Sequence, residues 1–332
     1  MWAGDSEWFR IDGDSVIGAA RRAATRMAKA VNFSEKRAGE AAIVVTEAAT
    51  NLRRHAENGA LGVRILRSGD RAGVGVVAID TGPGMADPSR SARDGHSTGG
   101  TLGIGLGAIE RLSTWSDSIS VPGAGTVLAA ELWDGVAPAR PSVACLTRSM
   151  RGEEVCGDAV AVRQENGDTV VLVVDGLGHG PLAAQAAAVA LRAFESGACT
   201  SAASIATDLH QALAGTRGAA LAVAHIDPEA ATVTFAGIGN IAGWIVDDSS
   251  RRGMVSMPGI AGHKIRRIQE WRYELDAGSR IVLHSDGLTD KWAASPPLVV
   301  RDPVLVAAML MRDAGTRHDD ASVAVAEVTW SS

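Results

Sequence analysis

The stretch Asp134-Gly-Val-Ala-Pro-Ala-Arg-Pro-Ser142 most constrains what this chain can fold into. Its two prolines lack an amide donor and disfavour helix at the residue before each of them. Lying between strand-like stretches, the segment divides 332 residues into two parts, the number of domains that length alone suggests. The expected division is a first domain over 1–135, a linker over 136–141 and a second domain over 142–332. Hydrophobic residues make up 46% of the chain, enough for ordinary cores, and aromatics only 4%, so those cores lean on Val, Leu, Ile and Ala.

Several function classes fall away at once. The net charge of −6 and the lack of any long Lys/Arg block give no general affinity for nucleic acid. Cys145, Cys156 and Cys199 are scattered, odd in number and never spaced as CxxC, which argues against a disulfide scaffold or a structural zinc site. No apolar run approaches the roughly 20 residues needed to span a bilayer. The first seven residues show no signal-peptide pattern. A soluble cytoplasmic protein is expected.

In the first part, Asp14–Val31 has helical spacing, with Ile17, Ala20, Ala24, Met27 and Val31 on one side. Ser34 can cap a second helix that runs to about His55. Strand patterns follow at Leu61–Leu66 and Gly73–Ile79, then a polar, Gly-rich loop to Gly103, a helix ending before Ser116, and strands near Ser118–Val121 and Thr126–Leu132. Helices preceding strands read as an α/β sandwich.

Three short elements here carry chemistry. Glu47 and Asn51 stand four apart on the second helix and share a face. A carboxylate that accepts a hydroxyl proton beside an amide oxygen that binds Mg²⁺ is what phosphoryl transfer needs. Asp80-Thr-Gly-Pro-Gly-Met85 follows a strand, where Asp80 can accept a hydrogen bond from an adenine amino group while Gly82 and Gly84 let backbone approach a ligand. Ser97-Thr-Gly-Gly-Thr-Leu-Gly-Ile-Gly-Leu-Gly107 exposes backbone amides before a helix start, a cradle for phosphate through Thr98, Gly99, Gly100, Gly103 and Gly105. It is neither a P-loop nor a Rossmann turn.

In order and spacing these elements resemble the N, G1 and G2 boxes of the GHKL ATP-binding superfamily, over about residues 10–133. No phosphoacceptor-histidine helix pair precedes them, which disfavours a histidine kinase. The lid sequence Ala92-Arg-Asp-Gly-His-Ser-Thr-Gly-Gly-Thr-Leu-Gly-Ile-Gly-Leu106 resembles that of serine/threonine switch kinases of the stressosome and anti-sigma-factor type (RsbT-like). The resemblance implies Glu47 as general base, Asn51 as Mg²⁺ ligand and Asp80 as adenine partner. Thr126 matches a threonine that supports the adenine end. The implied fold is a GHKL α/β sandwich, a mixed sheet with helices on one face.

The second part opens with a hairpin, Asp158–Arg163 and Thr169–Val174, joined by Gln-Glu-Asn-Gly-Asp. Helices are expected at Pro181–Glu195, Ala202–Leu213 and Pro303–Ala314, and strands at Ala219–Ile226, Thr232–Gly237, Ile241–Val246, Arg280–His284 and Ala321–Val328. Four acidic points sit at strand ends: Gly157-Asp158, Asp175-Gly-Leu-Gly-His-Gly180, Ser285-Asp286-Gly287 and His318-Asp319-Asp320-Ala-Ser322. Carboxylates converging from several strand ends suit hard divalent cations, and two such ions can clamp a phosphate for in-line attack.

Together the four resemble the PPM (type-2C-like) phosphatases, especially the SpoIIE and RsbX branch, over about residues 142–329. The resemblance implies Asp158, Asp175, Asp286 and Asp319 as catalytic metal ligands, with a backbone carbonyl from Gly176, and an αββα fold: a β-sandwich flanked by helices. Asp320 stands where relatives often carry Asn, so it is expected behind the ligands or as an alternate ligand. His179 either positions a ligand or proton, or is a turn residue held by its flanking glycines. Gly237-Ile-Gly-Asn240 is either a loop near the site or a tight strand turn. No clear counterpart of the phosphate-binding arginine of eukaryotic relatives is found; Arg148 and Arg151 lie near Asp158 in sequence only.

The expected function is therefore bifunctional. An ATP·Mg²⁺-dependent serine/threonine kinase-like domain is joined to a phosphoserine/phosphothreonine phosphatase using two Mn²⁺ or Mg²⁺. The resemblance implies a phosphorylatable STAS-domain protein of an anti-sigma or stressosome system as partner. The alternative is a phosphatase gated by a non-catalytic ATP-binding sensor.

Overall fold

The computed structural model describes residues 2–3, 6–85, 105–198, 200–247, 250–263, 265, 267–290, 292, 302–316 and 318–328. The chain forms two compact units, one of Asp5–Arg140 and one of Met1–Gly4 with Pro141–Ser332. The first four residues thus join the second unit, because strand β1 (Trp2–Ala3) pairs antiparallel with β8 (Asp158–Glu165). Residues 136–140, expected as linker, are tied to the first unit. Arg140 pairs with Glu131 at 2.8 Å and lies over the Trp115 ring, and Arg71 Nη1 donates to Val136 O at 2.9 Å.

The first unit stacks helices on an antiparallel sheet. Its strands are β2 (Ser6–Arg10), β3 (Ala60–Ser68), β4 (Arg71–Ile79), β5 (Trp115–Val121) and β6 (Gly125–Trp133), in the order β2-β3-β4-β6-β5. Helices α1 (Asp14–Ala30), α2 (Glu35–His55) and α3 (Gly105–Leu112) share its core. Ala20, Ala24 and Ala28, spaced by four, give α1 a flat buried stripe. It meets Ala41, Val44, Val45, Ala48 and Leu52 of α2 and the inward strand residues Leu61, Val63, Val74, Val76 and Leu132. Small side chains let the helices approach closely and bury with no rotamer cost. Ser34 caps α2 by accepting from Arg37 N, and Arg53, Arg54 and His55 in the last turn suit its negative end.

The second unit is a layered sandwich. One sheet runs β1-β8-β9-β10-β11-β14, with β9 (Asp168–Gly176), β10 (Ala219–Asp227), β11 (Thr232–Ile238) and β14 (Ser256–Met257); β15 (Trp271–Glu274) also pairs with β11. The other runs β13-β12-β16-β17-β7, with β7 (Val143–Arg148), β12 (Ala242–Val246), β13 (Arg251–Met254), β16 (Arg280–His284) and β17 (Ala321–Glu327). The β11–β14 pairing is parallel and the others are antiparallel. The period-2 alternation of β8 and β9 decides the layers. Val160, Val162, Val171 and Val173 face the second sheet. Ala159, Ala161, Leu172 and Val174 face helices α4 (Pro181–Ser196) and α5 (Ala202–Ala212). Helix α6 (Pro303–Asp313) packs on β7 and β17, completing the αββα order.

Strands β1, β2, β7, β13, β14 and β15 lie outside the sequence expectations. β7 is buried along nearly its whole length, so it shows no apolar/polar alternation. Among the described residues no helix is long and apolar enough to cross a membrane.

Candidate functional site

In the second unit, the register delivers the carboxylates. β8 begins at Asp158 and β9 nears its end at Asp175, and the two stand directly opposite in the antiparallel ladder. Like charges in that position repel, so the pairing is costly unless something compensates it. Asp286 follows β16, and Asp319 precedes β17, its neighbour in the other sheet. Both sheets thus supply acidic residues at one end. Ser285 Oγ donates to Asp158 Oδ2 at 2.5 Å and accepts from Ser322 N at 3.0 Å, linking residues 127 apart.

The electrostatics follow from that crowding. Burial, then the Asp320 and Asp286 charges, push the Asp158 carboxyl up to about 7, against the lowering effect of the Ser285 hydrogen bond. Burial, then Asp158, Asp286 and Asp319, push Asp175 up to about 9. Asp286 is raised by burial and by Asp319, while a 2.6 Å hydrogen bond from Asn240 Nδ2 works the other way. Asp158 Oδ1 is buried, and among the described residues no donor reaches it. Two facing carboxyls such as Asp158 and Asp175 can hydrogen-bond only while one of them carries a proton.

These groups fit a divalent cation by their chemistry: hard oxygens, mutual repulsion and one orphaned buried carboxylate oxygen. No three described His, Cys, Asp or Glu side chains are arranged to ligate one ion as they stand. A bound cation would relieve the crowding that raises Asp158 and Asp175. Gly176 is tightly enclosed, since a Cβ there would stand 2.2 Å from Ala183 O.

The surrounding residues sort into roles. Asp320 is buried and accepts from Met150 N at 2.7 Å and Gly157 N at 2.8 Å, one with each oxygen. Asparagine, with a single acceptor oxygen, could not do both. His179 is exposed and pairs with Glu153 at 2.7 Å. The Gly237–Asn240 turn reaches the cluster through Asn240. Sequence reasoning assigned no role to Ser285 or Asn240; the Ser-Asp-Gly order places Ser285 beside Asp286, an expected ligand, but nothing local points it at Asp158.

In the first unit, Glu47 and Asn51 are half-buried on α2, on the margin of its apolar stripe. Gly105, where described α3 begins, lies against both: a Cβ there would stand 2.9 Å from Asn51 Oδ1 and 3.2 Å from Glu47 Oε2. Asp80 is buried after β4; its Oδ1 accepts from Gly82 N at 2.7 Å, and its amide donates to Thr126 O at 2.9 Å. Thr126 and Ser120 share a 2.8 Å hydrogen bond, and Ser120 Oγ accepts from Met85 N. Gly84, at φ +66°, has no room for a side chain against Val121 O. Thr98, Gly99, Gly100 and Gly103 lie outside the described residues.

Comparison with known proteins sorts the units. "Histidine kinase-like ATPase domain" matches residues 14–132. The serine/threonine-protein kinase RsbT of Bacillus subtilis (strain 168) is 32% identical over 129 residues, 39% of this chain and 97% of RsbT. The chain belongs to the RsbT family. Its second unit carries a phosphatase domain: "Stage II sporulation protein E (SpoIIE)" matches residues 165–329, so Asp158 lies just before the match. The phosphoserine phosphatase RsbX of the same organism is 28% identical over 140 residues, 41% of this chain and 69% of RsbX. A crystal structure of RsbX in complex with magnesium has a TM-score of 0.50 at 23% identity, covering 56% of this chain and 94% of that one. This RsbT-family chain thus joins a kinase-like ATPase domain to a PP2C-type phosphatase domain.

Proposed function

We propose that this RsbT-family chain is a cytoplasmic, bifunctional regulator of a partner-switching pathway. Its first domain binds ATP with Mg²⁺ and phosphorylates a serine or threonine of a STAS-type anti-anti-sigma or stressosome protein. Its second domain removes such a phosphate with Mn²⁺ or Mg²⁺, two ions being the expected complement. The observation that carries this reading is the meeting of Asp158, Asp175, Asp286 and Asp319 at one end of two sheets, where burial and mutual repulsion push Asp158, Asp175 and Asp286 up.

In the first domain Glu47 takes the proton of the acceptor hydroxyl, and Asn51 holds the Mg²⁺ beside the phosphates. Gly105 of α3 lies against both and, lacking a side chain, leaves them open to a ligand. Asp80 receives the adenine amino group, oriented by its bond to Gly82 N, with Thr126 supporting that end. Gly82 and Gly84 keep side chains out of the approach.

In the second domain the four aspartates and the Gly176 carbonyl hold the cations. Divalent ions bound there supply the positive charge that polarises a phosphoryl group. Ser285 aims Asp158, Asn240 steadies Asp286, and Asp320 fixes the Met150–Gly157 backbone that leads into Asp158.

The test uses a phosphorylatable STAS protein. The wild type is incubated with ATP·Mg²⁺ and that protein, and separately with its phosphorylated form and Mn²⁺. Glu47→Ala should abolish phosphorylation and spare dephosphorylation, with Asp175→Ala doing the reverse. No transfer from ATP by the wild type to its true partner would sink the kinase claim.

A further inference from the structure

A phosphate dianion approaching four carboxylates gains from fixed positive charge added to that of bound cations. Arg148, one of the arginines near Asp158 in sequence, is committed elsewhere: its guanidinium donates to Thr316 O at 2.7 Å and Met311 O at 3.5 Å. The ladder brings a different arginine to the site. In the β9–β10 pairing Ala219 stands opposite Gly176 and Ala220 opposite Asp175. Arg217 precedes Ala219 by two, so its backbone runs on beside the Asp175-Gly-Leu-Gly-His turn. Leu177 N donates to Gly218 O at 3.0 Å and holds the two segments together.

The side chain follows. A Cβ on Gly178 would stand 3.3 Å from Arg217 Nη1 and 3.7 Å from its Cζ. Gly178 has φ +88°, and its bare backbone leaves space that the guanidinium occupies. The arginine's own backbone is fixed, with His263 Nε2 donating to Arg217 O at 2.9 Å and Gly218 N donating to Thr216 Oγ1 at 3.0 Å. Arg217 is exposed, and among the described residues its guanidinium makes no ion pair or hydrogen bond. An unspent planar donor group, anchored on a rigid turn at the rim of an acidic cluster, matches the geometry of a phosphate.

We infer that Arg217 receives the phosphate of the phosphoserine or phosphothreonine substrate, so that this domain places its phosphate-binding arginine before β10. The inference rests on reading the second domain as a metal-dependent phosphatase. It makes Arg217 a substrate-binding group that leaves metal binding to the aspartates.

The full chain loaded with Mn²⁺ is assayed with a phosphoserine protein and with a small aryl phosphate, as wild type, Arg217→Ala and Arg217→Lys. Inorganic phosphate is titrated into each protein by calorimetry, and Mn²⁺ affinity is measured separately. Arg217→Ala should raise KM and weaken inorganic phosphate binding roughly tenfold or more, with Mn²⁺ affinity unchanged. Arg217→Lys should recover part of both. Phosphate binding equal in wild type and Arg217→Ala, with Mn²⁺ bound normally, overturns the assignment. A wild type that hydrolyses neither substrate overturns the phosphatase reading itself, and the calorimetric comparison then still decides whether Arg217 holds phosphate.

Discussion

In the second unit four carboxylates meet at one end of two sheets, whereas in the first Glu47 and Asn51 share a helix face with the bare backbone of Gly105 beside them. One site is made of side-chain charge in excess of what the fold can neutralise. The other is made mostly of removed side chains, where Gly82, Gly84 and Gly105 clear the way for backbone. The difference teaches where each is vulnerable. Removing a carboxylate from the acidic cluster should transform that site, and adding a methyl group to a glycine should disturb the first one.

The strongest way to break this contrast is Asp175→Asn. Phosphatase turnover should fall roughly 10³-fold or more, because a ligand and its charge are lost together. Without metal the same variant should be more heat-stable than the wild type at about pH 8, since one of two facing carboxylates is gone. Parallel assays of turnover and thermal unfolding check both halves. An unstable metal-free variant would show that the carboxylates repel less than their register implies.

The matching change in the first unit is Gly105→Ala. Its Cβ would stand 2.9 Å from Asn51 Oδ1, so the amide or the start of α3 must shift. ATP affinity should drop roughly tenfold to a hundredfold, as small displacements at a phosphate site do. Stability should hold or rise, because Ala is the better helix former by about 1 kcal/mol. Nucleotide titration alongside thermal unfolding separates the two. Loss of both together would mean that the glycine serves packing alone.

Much of this contrast was readable before any coordinates. Asp158, Asp175, Asp286 and Asp319 each stand at a strand end beside glycine or another acid, and strand ends follow from hydrophobic pattern. The N-terminal motifs were equally local, since Glu47 and Asn51 are one helical turn apart. What stayed hidden depends on distant partners. Ser285 acts on a residue 127 positions away, and Asn240 reaches Asp286 across 46. No spacing rule carries such information. β7 escaped because burial along the strand erases its alternation, and β1 because its pairing with β8 joins the two extremes of a domain interrupted by the other. Asp320 was recognised as a departure from the usual Asn, yet only the structure shows why: two backbone amides share its carboxylate.

That last contact sharpens the comparison at a smaller scale. Asp320→Asn keeps size and removes one acceptor, leaving either Met150 N or Gly157 N unpaired. A buried donor without a partner costs about 1–3 kcal/mol. Chemical denaturation of the second domain should show a loss of that order, with nucleotide binding by the first domain unchanged. A variant as stable as the wild type would mean that water replaces the lost acceptor.

The mildest effect is expected from pH. In the metal-free protein Asp158 holds its proton up to about 7 and Asp175 up to about 9, whereas both release it near the ordinary 3.8 once unfolded. Between those limits the folded state carries more protons than the unfolded one, so unfolding releases protons and stability falls as pH rises. The melting temperature of the metal-free second domain should therefore decline from about pH 6 to about pH 8. Saturating Mn²⁺ or Mg²⁺ favours the ionised carboxylates and should flatten or reverse that slope. A metal-free second domain whose stability rises with pH over this range would contradict the raised carboxyls of Asp158 and Asp175.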